Sequence, residues 1–121
     1  MELNTYQDKA MGTCLPSSKN FAYMLFGLSA EVGEINDKVA KWIRKGIARM
    51  DGNLLVFNTS DEKIRDSYLI ELEKEIGDCL WFIAGLAKVL RCGLEDIAEG
   101  NLDKLASRKQ RGVIDGNGDN R

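Results

Sequence analysis

Glu31-Val32-Gly33-Glu34 and Glu75-Ile76-Gly77-Asp78 repeat one pattern of acid, branched apolar residue, glycine, acid. Helical residues three apart point to the same side, so each segment presents two carboxylates together. A glycine within a helix costs about 1 kcal/mol relative to alanine. Its presence at the same place in both segments predicts a close approach to the backbone there. Two such helices face to face would pool four carboxylates, and a divalent cation is the usual remedy for their repulsion. All-oxygen donors select Mg²⁺, Mn²⁺ or Ca²⁺. Calcium usually sits in a loop with backbone carbonyls, so carboxylates borne on helices favour Mg²⁺, with Mn²⁺ as a substitute. Di-iron sites in helical bundles add Glu-x-x-His from two helices, and this sequence has no histidine. A Mg²⁺ cluster in turn implies phosphate chemistry, in which the ions bridge phosphate oxygens and acidify a water.

Phosphate chemistry also requires cations. Lys38 follows Glu34 by one helical turn, and Lys41 lies one step further. Lys104 and Arg108 lie one turn apart near the C-terminus. These residues suit phosphate contacts, and they equally suit weak surface pairing with acids one turn away. Glu71 shares a stripe with Glu75 and Asp78, where it can hold or deprotonate an attacking water or simply form a salt bridge. Trp42, Trp81 and Phe82 can stack on a base, while their helical spacing also suits a core.

The elements that must position these groups read as all-α. A short helix is predicted from Asn4 to Met11, followed by a break from Gly12 to Lys19 that contains the only proline, Pro16. The second helix runs from Ser18, capped by Ser17 or Ser18, to about Ile43. Its core stripe is Phe21, Leu25, Leu28, Val32, Ile35, Val39 and Ile43, with Glu31, Glu34, Lys38 and Lys41 beside it. From Lys45 to Thr59 the periodicity fails, which predicts a loop carrying the apolar run Leu54-Leu55-Val56-Phe57. The third helix opens with a Thr59/Ser60/Asp61 cap, runs to about Arg91 and is closed by Gly93. Its stripe is Leu69, Leu72, Ile76, Leu80, Ile83, Ala87 and Leu90. A fourth helix spans Leu94 to Lys109, and a Gly-rich tail occupies residues 110–121. The expectation is a single four-helix-bundle-like domain over residues 1–121, with the acidic pairs on its two long central helices.

Bulk properties narrow the partners. Apolar residues make up 44% and charged residues 30%, the composition of an ordinary globular domain. A net charge of −2 provides no field to hold a polynucleotide. No apolar run is long enough to span a membrane, and Met1-Glu2-Leu3-Asn4 lacks the basic start of a signal peptide. Cys14, Cys79 and Cys92 are odd in number and widely spaced, which predicts reduced, packed thiols in a cytoplasmic protein. The absence of histidine removes His-based acid/base chemistry.

Taken together, Tyr6-Gln7, Glu31-Val32-Gly33-Glu34 with Lys38, Glu71-Leu72-x-Lys74-Glu75-Ile76-Gly77-Asp78, Trp81, and Asn101-Leu102-x-Lys104-Leu105-x-Ser107-Arg108 resemble the MazG-like nucleoside triphosphate pyrophosphohydrolases of the all-α NTP pyrophosphatase superfamily. The ending Arg111-Gly112-Val113-Ile114 with Gly118-Asp119-Asn120-Arg121 resembles a phage or bacterial subgroup. The resemblance implies hydrolysis of a nucleoside triphosphate between its α and β phosphates. It places Mg²⁺ on Glu31, Glu34, Glu75 and Asp78, and its motif includes Glu71, the candidate catalytic acid of the same stripe. It places Lys38, Lys104 and Arg108 at phosphates, Asn101 at the sugar or phosphate, and Trp81 and Gln7 among the substrate contacts. It also implies a homodimer or homotetramer with the site near a subunit interface. The interval from Glu34 to Glu75 exceeds the compact family spacing, and the excess falls in the Lys45–Thr59 loop. The rival readings are a hydrolase of a related nucleotide, such as an alarmone or a deoxynucleotide diphosphate, and a non-catalytic helical interaction module.

Overall fold

A computed structural model describes residues 1–121. The chain order is α1 (Leu3–Met11), a 3-10 turn (Pro16–Ser18), α2 (Phe21–Arg44), β1 (Ala48–Asp51), β2 (Leu54–Phe57), α3 (Glu62–Val89) and α4 (Leu94–Gln110). The fold is mostly helical, and the two long helices carry the acidic pairs as expected. Tyr23 meets Phe82 near one end of the α2–α3 pair and Trp42 meets Tyr68 near the other, so the two helices run antiparallel.

Local chemistry explains the helix ends. Asn20, rather than Ser17 or Ser18, caps α2 by accepting from the Tyr23 amide at 2.8 Å, because Pro16 diverts the two serines into their own turn. Asp61 caps α3 through the Lys63 and Ile64 amides. At the end of α3, Arg91 adopts φ 61° while the Cys92 amide reaches back to Ala87 O, the closure that glycine usually provides. Gly93, expected to close α3, instead sits at the N-cap of α4.

The Lys45–Thr59 segment is not a plain loop. β1 and β2 pair antiparallel, with Asp51 opposite Leu54, leaving Gly52-Asn53 as a two-residue turn. Gly52 has φ +59°, which a tight hairpin turn demands and a β-carbon resists. Strands of four residues are too short for alternation to register, so the turn dipeptide was the readable signal.

Two clusters form the core. Met24, Phe82, Ala84, Ala87 and Leu94 join Ala10, Met11 and Cys14 where α1 meets α2 and α3. Trp42, Ala48 and Phe57, with Tyr68 beside them, fasten the hairpin to the opposite end. The anticipated core stripes are buried only in part. Phe21, Val32, Leu69, Ile76 and Ile83 are exposed, with Ile76 at 57%. The glycines differ from expectation as well. Phe82 packs on Gly27 and Met24 on Gly85, where any β-carbon would collide. At Gly33 and Gly77 nothing beyond the local helix backbone comes within 4 Å of the β-carbon position. All three cysteines are free, but only Cys14 is buried; Cys92 is exposed.

Candidate functional site

The antiparallel pairing of α2 and α3 brings acids from both helices together. Carboxylate oxygens of Glu31, Glu75 and Asp78 lie within 4.8 Å of one another. Glu34, on the next helical turn, is exposed and lies outside this trio. The Glu31 carboxyl is pushed above its ordinary range by burial first, and then by repulsion from Asp78, Glu75 and Glu34. Three hard oxygen donors with one further acid nearby suit a divalent cation of the Mg²⁺ type.

Lys38 spans the edge of the cluster. Its Nζ lies 3.3 Å from Glu75 and 3.4 Å from Glu71, and hydrogen bonding to Glu75 leads in raising its pKa. An ammonium here supplies part of the positive charge the acids need. Trading the Glu75 contact for a phosphate oxygen would require only a side-chain rotation about a flexible stem. Glu71 accepts from Lys38 and remains 44% exposed, so it can still face solvent.

Two further groups lie near the acids, a placement that the sequence reading did not assign. Tyr6 on α1 stands near Asp78, and burial followed by the Asp78 charge raises its phenol pKa. Cys79 lies against the same acids, and burial with the charges of Glu31, Asp78 and Glu75 raises its thiol pKa. That environment keeps the sulfur protonated and unreactive. Both positions depend on how α1 and α3 pack, which local sequence does not encode.

Other predicted contacts have different surroundings. Gln7 is buried, with Nε2 donating to Ala84 O and Cys92 O while Oε1 accepts from the Leu94 amide. That side chain joins α1, α3 and α4. Trp81 is half-buried, donates from Nε1 to Ala10 O and Thr13 Oγ1, and meets Phe82 edge-on. Trp42 is enclosed by Phe57 and Tyr68. Asn101 is exposed on α4. Lys104 and Arg108 are engaged by the C-terminal tail through the Asp119 carboxylate, at 3.3 Å and 3.0 Å.

The acid trio sits on an open helix face. One surface concavity is lined by Met11, Met24 and Gly85 among others, and a second by Gln7, Arg91 and Gly93 among others; neither includes an acid of the trio.

Facing helices with convergent carboxylates and an adjacent lysine define a helical protein with a potential seat for a cation. The family model described as the MazG nucleotide pyrophosphohydrolase domain matches residues 19–113, and the chain belongs to that family. It is also similar to the "Gene 37 protein" of Mycobacterium phage L5, with 37% identity over 128 aligned positions covering 100% of both chains. No solved structure matches the chain. The family's chemistry is nucleotide pyrophosphohydrolysis, and the acid trio supplies a potential seat for the divalent metal typical of it. No helix is long and apolar enough to cross a membrane.

Proposed function

We propose that this protein hydrolyses a nucleoside or deoxynucleoside triphosphate between the α and β phosphates, releasing the monophosphate and pyrophosphate, with Mg²⁺ as cofactor. The convergence of Glu31, Glu75 and Asp78 from two helices carries this reading. A triphosphate carries about four negative charges at neutral pH and repels an incoming nucleophile. Bound Mg²⁺ would supply charge neutralisation and Lewis acidity at the phosphate oxygens. Glu31, Glu75 and Asp78 would hold it, with Glu34 completing the set from the next turn. Lys38 would release Glu75 as cation and substrate arrive and turn its ammonium to a phosphate oxygen. Glu71 would orient the attacking water and accept its proton. Incubation with the eight common ribo- and deoxyribonucleoside triphosphates and Mg²⁺ tests this reading. Monophosphate and pyrophosphate are expected in equimolar amounts from at least one substrate. Release of diphosphate and orthophosphate, or no turnover of any of the eight, counts against it.

The same reading includes a homo-oligomer, a dimer or a tetramer. Nucleotide sites are concave, and this acid cluster lies on an open face. The helices that carry it also expose Leu25 and Val32 on α2 and Leu69, Ile76, Leu80 and Ile83 on α3. The α3 residues recur at heptad-like intervals, the pattern of a helix that packs against another helix. A second copy of this chain would cover them and wall the acid cluster. Sedimentation is expected to show a dimer or larger species, and Ile76→Glu to dissociate it with loss of nucleotide turnover. A wild-type monomer with full activity would refute this part of the proposal.

A further inference from the structure

Residues 114–121 lie beyond the 19–113 span matched by the family model, yet they dock on α4. Arg108 Nη2 donates to Asp119 Oδ1 at 3.0 Å, to Asp119 O at 3.1 Å and to Gly118 O at 3.4 Å. Lys104 Nζ contacts the same carboxylate oxygen at 3.3 Å. The tail closes around its own last residue: Arg121 Nε donates to Val113 O at 3.0 Å, and Arg111 Nη2 donates to Arg121 O at 2.7 Å. Two of its turns sit on glycines at positive φ, Gly112 and Gly118.

We propose that this tail is a strap whose Asp119 carboxylate occupies an anion seat on α4, and that a phosphate or pyrophosphate group must displace it to reach Lys104 and Arg108. The inference rests on the hydrolase reading above, extended by the sequence-based expectation that Lys104 and Arg108 meet substrate phosphates. A carboxylate and a phosphate offer the same acceptor oxygens to a guanidinium and an ammonium. The hydrogen bonds of Arg108 in this chain all end on the tail, and the residue is only 5% exposed. Its Nε is buried with no partner, so the strap leaves a buried donor of the guanidinium unused. Asp119 itself is 83% exposed, which makes its grip accessible to water and to competing anions. Lys104 and Arg108 hold the Asp119 carboxyl below its ordinary pKa, so the competitor stays charged at neutral pH. A closed strap lowers apparent affinity in proportion to its population, and weakening it raises affinity without adding any contact.

Inorganic pyrophosphate, titrated without Mg²⁺ and followed by ¹⁵N NMR, tests the strap apart from the metal site. In the wild-type chain, saturation is expected to collapse the amide shifts of Gly116 and Gly118 toward disordered values. Asp119→Asn should bind pyrophosphate about three- to tenfold tighter, the gain from removing a charged competitor. Asp119→Ala should do the same, which guards against residual pairing by asparagine. Equal or weaker binding by both variants, or unmoved tail amides at saturation, would overturn the strap. If both variants bind more tightly but no nucleoside triphosphate is turned over with Mg²⁺, the strap stands and the hydrolase reading fails.

Discussion

Glu75→Gln is expected to lower pyrophosphate release by on the order of 10³-fold, the scale seen when one preorganised charge-stabilising group is lost at a reaction centre. Glu75 is the junction of the site. One of its oxygens belongs to the acid trio, and its carboxylate also receives Lys38 at 3.3 Å. The amide is nearly isosteric but is neutral and a poor ligand for a hard cation. It therefore weakens the metal seat and frees Lys38 at once. The fold should survive, because the side chain lies on the rim and removing one negative charge relieves repulsion on Glu31. Circular dichroism and melting should match wild type to within a few degrees while turnover disappears. Full turnover by this variant would remove Glu75 from the mechanism.

Mg²⁺ should raise the melting temperature. A ligand present at 100 times its Kd and bound only by the native state adds about 2.7 kcal/mol, roughly 10 °C for a domain of this size. The effect carries a pH signature whose sign follows from Glu31. Its folded pKa is raised above the ordinary 4.5, so the native state keeps a proton that the unfolded state has already lost. The contribution of this group to metal-free stability therefore falls as pH rises from about 4.5 through the raised value, and then levels off. A cation bound to the ionised acids offsets that loss. Melting in EDTA and in Mg²⁺ should thus diverge as pH climbs from 4 to 7, and Glu31→Gln should shrink the divergence. Parallel curves across that range would indicate that the acids hold no ion.

The acid pairs, the long helices and the third-helix cap at Asp61 were legible because each depends on local spacing and side-chain chemistry. The hairpin was expected as a loop, since strands of four residues leave no periodic trace and only the Gly52-Asn53 turn marks it locally. Gln7 shows where local reading stops. Its amide links α1 to the α3–α4 junction through partners more than seventy residues away, a demand that only packing imposes. Gly33 and Gly77 prompted the two-helix reading, but the close contacts lie at Gly27 and Gly85, whose partners Phe82 and Met24 belong to the opposite helix. Glu34 and Asp78 looked equivalent in the repeated pattern. Asp78 joins the trio and Glu34 lies outside it, an asymmetry set by how the two helices pack and not by their local pattern. The apolar stripes were correctly periodic, yet periodicity does not fix which of their residues one chain buries.

Crystals grown with Mn²⁺ offer the most direct measurement. Anomalous scattering should place the ion at about 2.1 Å from carboxylate oxygens of Glu31, Glu75 and Asp78, with Lys38 withdrawn from Glu75. Mn²⁺ bound elsewhere, or this trio without an ion beside an intact Lys38–Glu75 pair at saturating Mn²⁺, would contradict the account.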